Sequence, residues 1–346
     1  MTYIKRTDQI KALFPSEPAF RIKQITKALF NRKIGSWNDM TFLSPEMRKT
    51  LTDEIPFLSV SEVLTQCSKN QDTFKAKIQV YGGKAVETVL MKNQRDQWTI
   101  CVSSQIGCAM DCSFCATGKM GLTRNLDAEE IMDQYRFWNY YLEKYPHLSP
   151  RISNIVFMGM GEPLANYPNV KETINTLLAH TDLGKTKITV STVGVIPSLK
   201  KILTDPEWPD VRIAISLHSA NPITRKNIVP TSFEKFLPEI KEWCIDYLQK
   251  YGNKTHHLTF EYVMLKNIND TNDHAKVLAD FVNSIGHIKV NLIPYNYIGT
   301  LLECSTDNQI KTFMKILEEN GITVTKRKNM GQDISAACGQ LITQKK

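Results

Sequence analysis

The sequence predicts an α/β fold whose largest part is a partial (β/α) TIM-like barrel, and two observations carry this prediction. From residue 98 onward, short apolar runs rich in β-branched residues alternate with amphipathic stretches of helical period. The runs are nearly continuously apolar, which is typical of parallel strands covered on both faces. The predicted strands are Thr99–Ser103, Asn154–Met158, Lys187–Thr192, Arg212–Leu217, Leu258–Met264, Lys289–Ile293 and Ile322–Lys326.

Two of the helices between these strands have recognisable ends. One begins at about Asp127 and places apolar residues on one face. Another begins at Ser305 or Thr306, whose hydroxyl can cap a helix, and ends at Gly321, which suits the left-handed residue after a helix. In barrels of this kind the functional groups lie where strands end and loops begin. We therefore expect the chemistry at the carboxyl ends of the predicted strands.

The chain ahead of the barrel divides into two further parts. Over residues 1–60, a short apolar helical face lies among lysines and arginines, which predicts a small basic helical domain. Alternating residues on either side of Gly82 and Gly83 predict a β-hairpin extension and linker over residues 61–97, with the glycines in its turn. The barrel and a C-terminal cysteine segment then occupy residues 98–346.

The composition is that of an ordinary globular protein. Of 346 residues, 42% are hydrophobic and 23% are charged, which excludes a disordered chain, a collagen and a long coiled coil. No stretch approaches the ~18–20 apolar residues of a membrane span, so no membrane partner is expected. The first residues lack the apolar core of a secretory signal, which predicts a cytoplasmic protein. A formal net charge of +8 permits an anionic partner without requiring one.

The eight cysteines predict metal or redox chemistry, because a reducing compartment disfavours a framework of disulfides. Cys108, Cys112 and Cys115 form a CxxxCxxC motif just after the first barrel strand. Three thiolates at this spacing can bind one iron–sulfur cluster and leave one iron open for substrate. A zinc site or inert buried cysteines are the alternatives. Structural zinc sites usually have four ligands, commonly in CxxC pairs, and the sequence has no second pair.

Small polar residues stand at the ends of four predicted strands. Taken singly, each is more often a turn residue or the cap of a loop. Because parallel strands end on the same side of a barrel, four such ends together predict a polar ligand pocket. The residues are Gly161 and Glu162 after the second strand, Ser191 after the third, Ser216 and His218 after the fourth, and Asn296 after the sixth.

As a set, the motifs closely resemble the radical SAM adenosine methyltransferases of the RlmN/Cfr type, where SAM is S-adenosylmethionine. The resemblance covers Phe20 to Leu341 and includes the CxxxCxxC motif, Met-Gly-Met-Gly-Glu-Pro-Leu, Ser-Thr-Val-Gly, Ser-Leu-His, Pro-Tyr-Asn and the terminal Ala-Ala-Cys-Gly-Gln-Leu. It implies a barrel of the radical SAM type and one [4Fe–4S] cluster on the three motif cysteines. It also implies SAM contacts by Gly161, Glu162, Ser191, Ser216, Leu217, His218 and Asn296.

The resemblance further implies a reaction that uses two SAM molecules per turnover. One methylates the thiolate of Cys338, and the other, on the cluster, gives a deoxyadenosyl radical that removes a hydrogen atom from the S-methyl group. The carbon then adds to adenine and links RNA to protein. Cys101 takes the ring proton and attacks the Cys338 sulfur, which releases methylated RNA and leaves a disulfide to be reduced. Glu87 matches the family's usual proton acceptor, and a solvated hairpin carboxylate is the alternative.

The substrate that the resemblance implies is C2 of an adenosine in 23S rRNA, at the peptidyl transferase centre, and of an adenosine in tRNA. Pro163 favours C2, whereas Ala165 and Asn166 are typical of the Cfr type, which methylates C8 and gives antibiotic resistance. A non-catalytic iron–sulfur or zinc RNA-binding protein is a more remote alternative. Together with the resemblance, the basic N-terminal domain and the basic run 326–328 favour RNA binding.

Three further expectations concern partners and the remaining cysteines. The reaction implies a flavodoxin- or ferredoxin-like electron donor and a disulfide reductant. We expect a monomer. Cys67, Cys244 and Cys304 match no motif and are expected to be packing or surface residues.

Overall fold

The computed structural model of the protein describes residues 4–252 and 258–342. Within these residues it has a ten-stranded sheet, a two-stranded sheet and ten α-helices, none of them long and apolar enough to cross a membrane. The strands are β1 (Ser61–Cys67), β2 (Thr73–Gln79), β3 (Ala85–Lys92), β4 (Trp98–Cys101), β5 (Gln105–Cys108), β6 (Gly121–Asn125), β7 (Ile152–Phe157), β8 (Ile188–Thr192), β9 (Arg212–Ser216), β10 (Thr259–Met264), β11 (Lys289–Pro294) and β12 (Val324–Lys326). The helices are α1 (Arg6–Leu13), α2 (Ala19–Ala28), α3 (Pro45–Glu54), α4 (Ala128–Lys144), α5 (Tyr167–His180), α6 (Ile196–Thr204), α7 (Pro222–Ile228), α8 (Phe236–Tyr251), α9 (Asn272–Asn283) and α10 (Asp307–Glu319).

The ten-stranded sheet changes from antiparallel to parallel pairing at β4. Strands β1 to β4 pair antiparallel in chain order, and the sheet continues in parallel through β7, β8, β9, β10, β11 and β12. The sheet is curved, since Cys101 on β4, Val156 on β7, Ile293 on β11 and Arg327 after β12 line one cavity. Within the described residues, β1 and β12 each pair on one side only. The predicted α/β fold with a partial barrel is confirmed.

All seven predicted barrel strands are present, with ends that differ from the prediction by up to two residues. The helix expected from about Asp127 is α4, where Asp127 and Glu130 form a capping box. The helix expected to end at Gly321 is α10. The Thr306 side chain caps its start by accepting the N–H of Gln309, and Gly321 follows its end with a φ of 77°.

The predicted hairpin is β2–β3, and Gly82 and Gly83 take φ values of 80° and 72° in its turn. Strand β1, which pairs with β2, was not predicted, because almost every side chain of β1 is exposed and no alternation is visible. The sheet of β5 and β6 was not predicted either, and its strands have only four and five residues. Strands that are very short or fully exposed leave no period-two pattern in a sequence.

Helices α1 to α3 enclose an apolar cluster of their own and are joined to α4 by buried charges. The Asp133 carboxylate on α4 lies 2.6 Å from the guanidinium groups of both Arg6 and Arg136. Burial raises the pKa of Asp133, but the two guanidinium groups outweigh this and lower it to about 2. Arg136 also donates to the carbonyl groups of Leu29 and Phe57. The domain boundaries at residues 60 and 97 stay predictions.

Candidate active site

The three cysteines of the CxxxCxxC motif line one pocket of about 150 Å³. Cys108 is the last residue of β5, and Cys112 and Cys115 lie in the loop that leads to β6. This loop depends on a glycine at position 107, where φ is 75° and a Cβ would lie 1.8 Å from the carbonyl oxygen of Gly121. The local fold therefore brings the predicted cluster ligands together.

Burial controls the protonation of these thiols. It raises the pKa of Cys108 to about 12 and also raises the pKa of Cys112 and Cys115. The buried guanidinium of Arg225 acts in the opposite direction on Cys112, and burial lowers the pKa of Arg225 itself to about 9. Buried thiols lose their protons when a metal centre supplies compensating positive charge. The donor set therefore suits a metal centre.

The arrangement of the thiols fits a cluster of several irons. Among the described residues, no three His, Cys, Asp or Glu side chains converge on a single metal ion. Each thiolate of a three-cysteine [4Fe–4S] cluster binds a different iron, so such a cluster does not require convergence on one point. The three thiols around one pocket are compatible with this group.

The chain after β7 lies tightly against the start of the cysteine loop. A Cβ at Gly159 would lie 2.6 Å from the carbonyl oxygen of Val102, and one at Gly161 would lie 2.5 Å from the Gln105 side chain. Gly161 also has a φ of 98°. Only glycine allows this approach of two chain segments. As a result, Glu162 reaches the pocket wall.

Glu162 presents a buried carboxyl group to the pocket, with 3% of the residue exposed. One oxygen accepts the N–H of Val193 and the other accepts the N–H of Leu164, each at 2.9 Å. Burial raises the pKa of Glu162 to about 7, and the hydrogen bonds oppose this rise. A buried carboxylate is stabilised by a neighbouring cation. The group therefore suits the ammonium group of a ligand.

The ends of β8 and β9 contribute two hydroxyl groups to the same pocket. Ser191 and Ser216 both line it, and their Oγ atoms lie 3.2 Å apart. Leu217 does not line the pocket. Its side chain is fully buried in the core, and its N–H donates to the carbonyl of Glu261. Of the predicted ligand contacts, Leu217 is thus the one whose side chain the structure places elsewhere.

His218 lines the pocket as a neutral ring. Its Nδ1 accepts the N–H of Val263 at 3.1 Å, and its ring packs edge-on against Phe114 with centroids 4.5 Å apart. Burial, with a smaller contribution from Arg225, lowers the pKa of His218 to about 3. Because Nδ1 accepts a hydrogen bond, the ring proton lies on Nε2. His218 can therefore donate one hydrogen bond to a ligand.

Cys338 is shared between this pocket and a larger cavity. It is half-buried on the segment that follows β12. Nδ2 of Asn296 donates to the Cys338 carbonyl at 3.1 Å, and the carbonyl of Gly339 accepts the N–H of Ala116 at 2.7 Å. A Cβ at Gly339 would lie 2.9 Å from the carbonyl oxygen of Phe114. The segment is therefore seated directly on the cysteine loop.

The larger cavity has a volume of about 440 Å³ and has both Cys101 and Cys338 on its wall. Burial raises the pKa of Cys101 to about 12. The neighbouring Cys338 adds to this rise, and Arg327 opposes it. Both cysteines are free thiols. The structure thus brings the two predicted reacting cysteines to one cavity.

Arg327 and Glu261 are site residues to which the sequence analysis gave no role at this position. Arg327 lines both cavities, and its guanidinium lies 3.6 Å from the buried Glu261 carboxylate. The sequence analysis counted Arg327 only within the basic run 326–328. Lys326 turns outward and pairs with Asp307, and Arg327 turns inward, because successive side chains of a strand alternate in direction. This alternation is the sequence signal that could have distinguished the inward-facing Arg327 from the outward-facing Lys326.

Glu87 lies outside both cavities. It is on β3, forms an ion pair with Lys75 at 3.1 Å, and accepts the N–H of Ile342 at 2.9 Å. It lines a third cleft, of about 520 Å³, between the hairpin and the C-terminal segment. The structure therefore does not place Glu87 with Cys101 and Cys338. Its role as a proton acceptor stays a prediction.

Comparison with known proteins defines the class to which this fold and pocket belong. The sequence profile described as the Radical SAM superfamily matches residues 102–281. The crystal structure of a radical SAM methyltransferase from Sphaerobacter thermophilus superposes with a TM-score of 0.88 and 34% identity, over 97% of this chain and 96% of that chain. The matched profile and the superposed fold are those of the radical SAM superfamily.

Curated relatives narrow this class to one family. The dual-specificity RNA methyltransferase RlmN of Alkalilimnicola ehrlichii is 38% identical over 96% of this chain and 91% of its own length. The protein of the same name from Marinomonas sp. is 38% identical over 94% of this chain and 88% of its own. The chain belongs to the RlmN family of the radical SAM superfamily. This superfamily uses a [4Fe–4S] cluster and SAM, which the pocket can accommodate chemically.

Proposed function

We propose that the protein methylates C2 of an adenosine in 23S rRNA and of an adenosine in tRNA, and that Cys338 carries the methyl carbon. The observation behind this proposal is the position of Cys338, which lines both the three-cysteine pocket and the larger cavity that contains Cys101. A carbon on its sulfur is accessible from both. RNA as the substrate is supported by the relatives, which are named RNA methyltransferases.

In this proposal the smaller pocket holds both cofactors. Cys108, Cys112 and Cys115 bind the cluster, and the Glu162 carboxylate receives the SAM amino group. Hydrogen-bonding groups around the same rim contact the rest of SAM, namely Gly161, Ser191, Ser216, His218 and Asn296. Leu217, which the resemblance also implied, does not line this pocket, and its N–H and carbonyl pair with Glu261 and Arg225. When bound, the cluster and SAM supply the methyl group, the radical that removes a hydrogen atom from it, and an acceptor for one electron.

Cys338 and Cys101 have distinct parts in the reaction. An adenine carbon flanked by ring nitrogens is not a nucleophile, so it cannot take a methyl group by simple displacement. The Cys338 sulfur instead carries the carbon until it has bonded to the ring. The Cys101 thiolate then takes the proton from the ring carbon and becomes a thiol. When this thiol gives up the proton again, its sulfur attacks the Cys338 sulfur. An S–S bond forms as the S–C bond breaks, and the released carbon takes up the proton.

The larger cavity is the proposed site of the target base. It is the larger of the two cavities that Cys338 lines, with about 440 Å³ against about 150 Å³. A base can reach it only after it is extruded from its stack. The exposed Lys328 lines the same cavity and suits a phosphate contact, which positions RNA without reading its sequence.

The residues that suggested the alternative C8 reaction have a structural task. Asn166 is fully buried, and its Nδ2 donates to the carbonyl groups of Ser104 and Leu126. Neither Ala165 nor Asn166 lines the two cavities. Pro163 does not line them either, so these three residues do not decide between C2 and C8, and the choice of C2 rests on the resemblance to the RlmN relatives.

Mass mapping of RNA tests this proposal. We expect rRNA and tRNA from cells that lack their own enzyme to contain 2-methyladenosine when they express the protein, and none when they express Cys338→Ala. Cys67→Ala, which removes an exposed thiol outside the site, is the control and should behave as the unchanged protein. The 8-methyl isomer would contradict the choice of C2, and unmethylated RNA would contradict the function.

The reaction also sets requirements for partners. The disulfide between Cys101 and Cys338 needs two electrons from a reductant before the next turnover. Radical formation needs one electron, for which we propose a flavodoxin- or ferredoxin-like donor. The monomeric state and the cytoplasmic location stay predictions.

A further inference from the structure

A buried ion pair on the hairpin lies beside the segment that carries Cys338. Lys75 on β2 and Glu87 on β3 are 3.1 Å apart, and only 8% and 5% of these residues are exposed. Neither lines the two cavities that share Cys338. Burying two charges is costly unless the remaining donors and acceptors also find partners. The partners of this pair therefore indicate its task.

Both partners of the pair belong to the C-terminal segment. Nζ of Lys75 donates to the carbonyl of Ser335 at 3.3 Å, and Oε2 of Glu87 accepts the N–H of Ile342 at 2.9 Å. These contacts fall on either side of Cys338. The ion pair therefore holds the segment at two points and leaves the cysteine between them.

The segment has little regular structure to hold itself in place. Its one helical element is a 3-10 turn over Gln332–Ile334. Gly331, Ser335 and Gly339 have φ values of 64°, 51° and 84°, and Ser335 is a residue type that rarely adopts this region. Backbone conformations of this kind are kept only where contacts with the surrounding structure hold them in place. The hairpin supplies part of those surroundings.

We propose that Lys75 and Glu87 form a clasp that holds residues 335–342 and so fixes Cys338 at the wall between the two cavities. Lys75 is then a positioning residue, and Glu87 acts through the same segment. The importance of the clasp for catalysis rests on the proposed function, in which the Cys338 sulfur reacts first in the cofactor pocket and then with the target base. A small displacement of a reacting group is costly in such a reaction.

Hydrogen exchange measured by mass spectrometry tests the clasp without any turnover. In Lys75→Met and in Glu87→Ala, we expect the amides of residues 335–342 to exchange at least about tenfold faster. Lys75→Arg should restore most of the protection. Lys84→Met is the control, because Lys84 is an exposed lysine in the turn of the same hairpin and lines neither the two cavities nor the third cleft. It should leave the exchange unchanged.

Activity separates the clasp from a proton-acceptor role of Glu87. Glu87→Gln keeps an oxygen that can accept the N–H of Ile342, so the clasp predicts that it retains much more methylation than Glu87→Ala. A proton acceptor predicts equal loss in both. Lys75→Met should lower kcat and leave the KM for SAM unchanged, since Lys75 does not line the pocket proposed for SAM.

The two proposals fail in different ways. Unchanged exchange in both Lys75→Met and Glu87→Ala overturns the clasp, even if the protein methylates RNA. Faster exchange in a protein that methylates no RNA leaves the clasp intact and overturns the function. If a thermal melt shows that Lys75→Met is unfolded, Glu87→Ala and Lys75→Arg are used in its place. Unchanged hydrogen exchange of residues 335–342 in Glu87→Ala then overturns the clasp.

Discussion

The two cavities that share Cys338 are built in different ways. The smaller one is framed mainly by strand ends and the cysteine loop, and its polar groups are fixed by backbone contacts such as those of Glu162. The larger one is closed by residues 327–341, a stretch that includes an irregular segment held by side chains of the hairpin. The difference suggests that the two cavities have different tasks in the reaction. The rigid pocket suits cofactor chemistry, and the cavity closed by this stretch suits an incoming RNA base.

The largest expected effect comes from the rigid pocket. Cys112→Ala removes one of the three thiols proposed to bind the cluster, so we expect complete loss of the iron–sulfur absorbance, of SAM cleavage and of methylation. Cys244→Ala is the matched control, because Cys244 is equally buried in α8 but lines neither cavity. It should keep the cluster and lose only ~1–2 kcal/mol of stability. A Cys112→Ala protein with a normal cluster would contradict the assignment of the cluster to the smaller pocket.

Removal of the Cys338 sulfur, on the wall shared by both cavities, should affect methylation and SAM cleavage differently. In Cys338→Ala, we expect methylation to fall by about 10³-fold or more, because the carbon carrier is gone. The cluster absorbance should remain, and reductive SAM cleavage should stay within about twofold of normal, since the other pocket groups are intact. Chromatography of deoxyadenosine alongside methylated RNA measures both. Equal loss of deoxyadenosine and of methylated RNA would contradict separate roles for the two cavities.

A smaller effect is expected when the charge of Glu162 is removed. Glu162→Gln keeps one backbone hydrogen bond but cannot neutralise an ammonium group, so the KM for SAM should rise about tenfold, equivalent to ~1.4 kcal/mol. The KM for RNA should not change, because Glu162 does not line the larger cavity. Steady-state kinetics with each substrate varied in turn measures the two constants. A change in the RNA constant alone would reverse the assignment of the cavities.

The smallest effect is expected at the rim of the larger cavity. Lys328→Ala should weaken RNA binding only about threefold and reduce the salt dependence of binding by about one ion, because it removes one phosphate contact. Lys276→Ala, on the exposed face of α9, is the control and should have no effect. Binding titrations at several salt concentrations give both values. An unchanged salt slope would place RNA elsewhere on the surface.

Much of the rigid pocket could be predicted because its residues lie in short motifs at strand ends. The CxxxCxxC spacing and the glycines before Glu162 are local signals of close chain approach, and the structure places all of them around one pocket. Parallel strands also leave continuous apolar runs, so the positions of β4 and of β7 to β12 along the chain could be predicted. Leu217 shows the limit of this reasoning, since a motif does not reveal which of its side chains points into the core.

The larger cavity could be predicted only in part, because its walls come from distant parts of the chain. Resemblance to a family brought Cys101 and Cys338 together, and neither spacing nor periodicity indicates that they share a wall. The hydrogen bond of Lys75 to Ser335 depends on tertiary packing between residues 260 positions apart in the chain. Glu87 was predicted in the reaction, yet its contacts are with the segment rather than with the cavity.

The most direct test of the shared position of Cys338 uses Cys101→Ala. In the proposed reaction, RNA bonded through carbon to the Cys338 sulfur cannot be released without the Cys101 thiol. We predict that this variant, with cluster, SAM, reductant and RNA, accumulates a covalent RNA–protein adduct that peptide mass spectrometry maps to Cys338. A variant that forms no adduct and methylates RNA at the normal rate would contradict the two-cysteine account.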